Sequence, residues 1–406
     1  MNSAKARGPL SGLKVIELCH VMAGPVTGLM LADMGADVIK VEKIPGGDDT
    51  RRFTPPAIGD EAAAFMMMNR NKRGIAVDLK SEDGKKILLR LIESADVLTE
   101  NYRKGAMERM GLGYETLKAL NPKLVYCSIS GFGRDGPYAD RGGFDLIAQG
   151  MSGLMSVTGE GPGRPPIKVG APVTDITAGI LGAMGILAAL HHRANTGEGQ
   201  FVDTSLFEAG IVQTFWQSAI ALATGIAPGP MGSAHPLNAP YQAFQTSDRW
   251  ITVGAANQTN WLRLVELIGM QALADDPRFK TGDDRIRNYA VLADALAPAF
   301  ITRSSAEWLE ALEKAKIPAG PVLDVAEMHR DPQTVAREMV TEVHHRTLGP
   351  VKTIGAPVKF PATPGGVWRG APLFGEHTRE VLREHGFADG EIERMDKAGA
   401  IHVAAG

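Results

Sequence analysis

The sequence predicts an α/β fold built on an open, doubly wound parallel sheet, and three observations lead there. Five short branched-apolar runs occupy the first third of the chain, at Val15 to Leu18, Val38 to Val41, Ile75 to Leu79, Val97 to Thr99 and Leu124 to Ile129. Between them lie segments with helical spacing, such as Leu88, Leu89, Leu91 and Ile92 behind Ser81, a residue type that caps helix N-termini. Such alternation marks βαβ units, in which each crossover helix returns the chain to start the next parallel strand. At 406 residues the chain is also long for one hydrophobic core, so a large lobe and a smaller one are expected.

After Gly199 the pattern changes. A strand-like Gln200 to Ser205 and a helical stretch lead into Gly225 to Pro236, whose glycines and prolines read as a linker. A second βα-type region follows, with Trp250 to Val253, a helix around Trp261 to Ile268 and further helices through Leu312. Past Ile317 to Val322 the tail regains helical pattern at Thr378 to Arg383 and Ala388 to Met395. The expected organisation is a large domain over 1–225, a small domain over 226–325 and a return over 326–406.

With 43 basic and 46 acidic residues the chain lacks the broad positive field of nucleic-acid binders, so an anionic ligand must be met by local basic groups. Its two cysteines, Cys19 and Cys127, form no CxxC and read as buried thiols in a reducing compartment. The N-terminal MNSAKARGPL has no apolar core of signal-peptide length. The longest apolar candidate, Gly179 to Leu190, falls short of the roughly 20 residues a membrane span needs and ends in His191, His192 and Arg193. A cytoplasmic protein without a membrane partner is expected.

In an open α/β sheet the ligand lies outside the carboxyl ends of the strands. The residues just past the five runs are His20, Lys43, Lys80, Asn101 with Tyr102, and the glycine turn Gly131 to Gly136. Such a rim suits a phosphate-bearing ligand, although a solvated rim has the same composition. Gly131, Gly133 and Gly136 fit GxGxxG, but they follow the fifth run instead of the first, and Pro137 and Tyr138 interrupt any helix start, so a tight turn is the better reading. GxxxxGK[ST] and GxSxG are absent, and the pairs His191-His192 and His344-His345 lack metal-ligand spacing, so no metal is expected. Asp175 ends an extended stretch and opens an apolar helix carrying Gly179, Gly182 and Gly185. On its own it reads as an N-cap, and the glycines as close helix packing.

The blocks LSGLKVIEL, AGPVTGLMLADMGADVIKVEK, NRNKRGIAVDLK, ADVLTENYRKGAMERMGLGYETLKALNPKLVYCSISGFGRDGPY, VTDITAGILGAMGILAALHHRANTGEGQFVD, IPAGPV and LFGEHT follow one another in an order that resembles the class III CoA-transferases, the formyl-CoA and carnitine CoA-transferase (CaiB/BaiF) family, from about Pro9 to about Ala388. The resemblance implies a large Rossmann-like domain that the C-terminal part rejoins, a small inserted α/β domain and an interlocked homodimer. By its place in VTDITAG, Asp175 matches the family's nucleophile. His20, Val21, Ala23, Lys43, Val77, Lys80, Asn101, Tyr102, Arg109 and Arg141 match positions that contact coenzyme A, which is bound as the substrate thioester. Met22 and Phe144 fall on the substrate side. Met22 stands where the formyl-specific branch carries a glutamine, and no poly-glycine lid occurs between Gly225 and Trp250, so formate and oxalate are disfavoured as acceptors.

The implied chemistry is attack of the Asp175 carboxylate on a thioester, giving an aspartyl anhydride and then an aspartyl-CoA thioester, with acyl-CoA and a carboxylic acid as partners. Succinyl-CoA is the type of donor expected. Two rivals stand beside it: a 2-methylacyl-CoA racemase of the same fold, which needs a proton-carrying histidine where this chain has Phe144, and an acyl-CoA-binding protein without turnover.

Overall fold

The computed structural model describes residues 8–404. The chain forms two compact units. One takes the residues up to Ser152, Gly170–Val212 and everything from Pro332 on; the other takes Gly153–Val169 and Gln213–Asp331. The second unit thus differs from the expected 226–325. It starts at Gln213, ends at Asp331 and takes in Gly153–Val169, which a boundary at 225 leaves in the large domain. A hydrogen bond from Gly232 N–H to the Gly159 carbonyl, 2.8 Å, shows why. The Gly/Pro-rich stretch is a loop inside this unit and not a linker between units.

The first unit is built on seven strands: β1 (Lys14–Glu17), β2 (Asp37–Glu42), β3 (Arg73–Val77), β4 (Val97–Glu100), β5 (Val125–Ser130), β6 (Phe201–Ser205) and β7 (Ile401–His402). Their order is β7-β3-β2-β1-β4-β5-β6. All pairings are parallel except that of β7, which runs antiparallel along β3. The five runs read from sequence are β1 to β5. The strand-like Gln200 to Ser205 is a sixth parallel strand on β5, and the tail supplies an edge strand that no periodicity announced, because two residues carry no period.

Alternation along each strand feeds two cores. Ile16, Ile39, Leu98 and Tyr126 face one layer, which includes Ile87, Leu88 and Leu91 of helix α2 (Glu82–Ile92). Val15, Val38, Val97 and Val125 face the other, where helix α1 (Ala23–Asp33) lies. Ser81 caps α2 as expected, its Oγ accepting from Gly84 N–H at 3.0 Å.

Two further helices carry the site, α3 (Asp145–Met151) and α4 (Val173–Thr196). At 24 residues α4 is twice the apolar run counted from sequence, long and apolar enough to cross a bilayer by length and composition alone. One face of it is packed within the unit. A Cβ on Gly179 would lie 2.6 Å from the Ala23 carbonyl oxygen, one on Gly182 2.8 Å from Thr27 Oγ1, and one on Gly185 2.7 Å from Val202. The glycine series therefore sets the approach of α4 to α1 and the sheet. Gly179 meets Ala23 and Val26 while Gly182 meets Thr27, so the two helices run in the same direction and their N-termini lie together.

The second unit has a three-stranded antiparallel sheet, Tyr241–Gln245 and Ala319–Pro321 flanking Trp250–Gly254. Trp261, Phe279, Phe300 and Trp308 fill its core.

Candidate active site

The strand order reverses between β1 and β4, and the loops leaving these two strands flank that switch point, where α/β sheets place ligands. The two loops are clasped together. Asn101 Oδ1 accepts from His20 N–H at 2.9 Å, and Asn101 Nδ2 donates to the His20 carbonyl at 2.8 Å. Its amide thus ties the two loops together through the His20 backbone.

A cavity of 360 Å³ opens at this point, lined among others by His20, Lys43, Val77, Lys80, Tyr102 and Arg109. Most residues drawn from the strand ends thus share one wall. Lys80 and Arg109 are exposed, and Lys43 is held by Asp49 at 2.8 Å. The His20 ring packs on Tyr102 with centroids 5.5 Å apart. Burial, helped by nearby Lys40, lowers the His20 imidazole to about 4, so it is neutral near pH 7. Val21 and Ala23 lie in and just after the β1 loop and do not line the cavity. Arg141 is exposed, its guanidinium 4.0 Å from the Tyr138 ring centroid, also outside the cavity. An open cavity of 410 Å³ lies at the opposite, amino ends of the strands, lined by Asp96, Lys123 and Arg193. The strand-end rule places no ligand there.

Asp175 is the third residue of α4, not its cap. The helix starts at Val173, and Pro172 in the cap position offers no side chain to it. Asp175 lies on the same face as Gly179, one turn before it, and Gly179 packs against Ala23 and Val26 in the first turn of α1. Among the described residues its carboxylate has no hydrogen-bond partner. Burial, and secondarily the charge of Asp145, push it up to about 7.

The start of α4 is capped by Asp145, a role that sequence analysis did not give it. Asp145 Oδ1 accepts from Thr174 N–H at 3.0 Å and Thr174 Oγ1 at 2.8 Å, and Oδ2 accepts from Gln149 at 2.7 Å. Phe144, one residue before, is 75% exposed, and Met22, just before α1, is half-buried.

The chain matches the model of CoA-transferase family III over residues 10–378. It belongs to that family. The class III CoA-transferase is 41% identical to the succinate–glutarate CoA-transferase of Agrobacterium fabrum, across 93% of this chain and 95% of that protein. It is 36% identical to the succinyl-CoA:glutarate CoA-transferase of Homo sapiens, across 99% and 91%. A CaiB/BaiF family protein from Brucella suis, known by crystal structure, superposes with a TM-score of 0.82 at 40% identity, covering 93% of this chain and all of that one. This chain is thus an enzyme of the CoA-transferase type, acting on CoA thioesters.

Proposed function

We propose that this enzyme moves CoA from a short acyl-CoA donor, with succinyl-CoA the first to test, to a carboxylic acid, and that Asp175 carries the acyl and CoA groups in turn. The observation that bears most weight is the Asp175 carboxylate itself, half-buried and free of hydrogen bonds among the described residues, one turn before the Gly179 that packs against Ala23 at the start of α1. A carboxylate serving only as a cap would be engaged by hydrogen bonds, as Asp145 is by Thr174 N–H, Thr174 Oγ1 and Gln149.

In this reading an Asp175 oxygen attacks the donor's thioester carbonyl, the C–S bond breaks and CoA leaves as thiolate. The thiolate then attacks the aspartyl carbonyl of the mixed anhydride. The first acid departs as carboxylate and Asp175 is left as its CoA thioester. The second acid repeats these steps in reverse and restores the carboxylate. Lys43, Lys80 and Arg109 meet the phosphates of CoA, so that binding energy far from the thioester holds it in line. Met22 and Phe144 stand on the acid side. Relatives that act on glutarate make it the first acceptor to try.

A homodimer belongs to the same proposal. Ile180 and Met184 of α4, 49% and 60% exposed, form an apolar stripe that a second copy would cover.

The test incubates purified protein with succinyl-CoA and a panel of acids including glutarate, separating the CoA esters by chromatography. New thioesters of an added acid support transfer. Deuterium entering the α-carbon of a 2-methylacyl-CoA, with no exchange between acids, points to the racemase instead, a reading that exposed Phe144 does not favour.

A further inference from the structure

Interior strands of a parallel sheet covered on both faces are ordinarily apolar throughout. Strand β2 departs from this, with Lys40 and Glu42 both fully buried, as are Glu17 of β1 and Asp48 just after β2. A buried ion pair is a poor source of stability compared with apolar side chains of the same volume. What these groups touch shows what they do instead.

Lys40 Nζ donates to the Cys19 carbonyl at 2.8 Å and to Glu17 Oε1 at 3.0 Å, and it faces Asp48 Oδ2 at 2.9 Å. Asp48 Oδ1 accepts from Val21 N–H at 3.1 Å, and also from Thr50 N–H and Oγ1 at 3.0 and 2.8 Å. Asp48 is itself fixed, because its N–H donates to Glu42 Oε2 at 2.9 Å and Glu42 is gripped by Arg51 through two bonds of 2.7 Å. Val21 needs such a hold. It is β-branched, yet its φ is +67°, in the left-handed region that non-glycine residues rarely enter.

We infer that Asp48 and Lys40 are positioning residues for the transfer reaction, together locking the loop Cys19–His20–Val21–Met22 in the conformation that presents His20 and the start of α1 to the acyl-CoA. The inference rests on the proposed function in one respect, that this loop faces the thioester. Between them the pair and Asn101 hold both polar groups of two successive peptide groups: Cys19 C=O with His20 N–H, and His20 C=O with Val21 N–H. Without Asp48, Val21 N–H loses its acceptor and the side chain's own preference draws φ back to negative values, swinging His20 and Met22 away.

The test is a rescue. Asp48→Ala is expected to raise KM for succinyl-CoA and lower kcat/KM by about ten- to a hundredfold, as loss of a hydrogen bond to a charged group does. KM for the acid should barely move. Adding Val21→Gly should recover a substantial part of the loss, on the order of tenfold, since glycine adopts positive φ freely. If Asp48→Ala proves too unstable to purify, Asp48→Asn carries the same prediction, because one amide oxygen cannot serve both Val21 N–H and Lys40. Calorimetric binding of free CoA to wild type and variants gives a readout without turnover. A wild type that binds CoA but transfers nothing counts against the proposed function alone. A folded Asp48 variant with wild-type CoA affinity, or one whose loss Val21→Gly leaves untouched, overturns the inference.

Discussion

Asp145 stands beside Asp175 without bonding to it: its carboxylate takes both the N–H and the hydroxyl of Thr174, at 3.0 and 2.8 Å. One carboxylate is thereby satisfied, and its charge falls on a neighbour that burial has already left short of solvation. The outcome is a helix start that is capped and a nucleophile that is not.

The first consequence is a pH dependence. Asp175 attacks as the carboxylate, and burial with the Asp145 charge raises it to about 7. Transfer should therefore fall as pH drops through about 7. Asp145→Asn removes the charge while keeping an oxygen for Thr174, so the midpoint of kcat/KM against pH should move to lower pH. A midpoint unchanged or raised in this variant would contradict the electrostatic pairing.

Stability should respond in the opposite sense to activity. A carboxyl raised in the folded state binds its proton there when the unfolded chain has released it, so burying Asp175 destabilises increasingly from about pH 4 to about 7, and fully above. Asp175→Asn should accordingly melt a few degrees higher than wild type at pH 8, on the order expected for 1 kcal/mol or more, and show little gain near pH 4. Its turnover should fall on the order of 10³-fold or more. Equal melting shifts at both pH values would show that the Asp175 carboxyl titrates alike in the folded and unfolded chain.

Gly179→Ala tests the approach of α4 to α1. The added methyl would meet the Ala23 carbonyl at 2.6 Å and Val26 Cβ at 2.7 Å, contacts that only a shift of the helices relieves. A loss of about 1–3 kcal/mol is expected in denaturant unfolding. The kcat should drop as well, because the shift displaces Asp175 relative to α1. Gly390→Ala, with open space around it, serves as control.

At the cavity rim, Arg109→Ala should raise KM for the acyl-CoA several-fold and leave KM for the acid nearly unchanged. Lys43→Ala should have the smaller effect, since Lys43 is already engaged with Asp49. Steady-state kinetics with dephospho-CoA thioesters should narrow the difference. Equal changes for both substrates would mark these residues as structural.

How much of this was legible in the sequence depended on periodicity. The five strands between Val15 and Ile129 announced themselves because branched-apolar residues cluster there, and the strand-end rule then brought His20, Lys43, Lys80 and Tyr102 to one rim. Asp175 was singled out, but its role as a helix opener was misread, because the sequence does not show that the helix begins at Val173. Asp145 escaped because capping across two helices has no local pattern. Lys40 and Glu42 did leave a signal: charges alternating with Ile39 and Val41 in a strand that should have been wholly apolar. The joining of Gly153–Val169 to the second unit shows in a long-range contact, Gly232 N–H to the Gly159 carbonyl, which a single chain pattern does not carry.

The central claim is the covalent role of Asp175, and trapping tests it most directly. The enzyme is incubated with succinyl-CoA, quenched with hydroxylamine, digested and analysed by peptide mass spectrometry. A hydroxamate is expected on the peptide bearing Asp175, formed only when the thioester is present and absent in Asp175→Asn. An unmodified Asp175 in an enzyme that turns over under the same conditions, or near-normal transfer by Asp175→Ala, would contradict it.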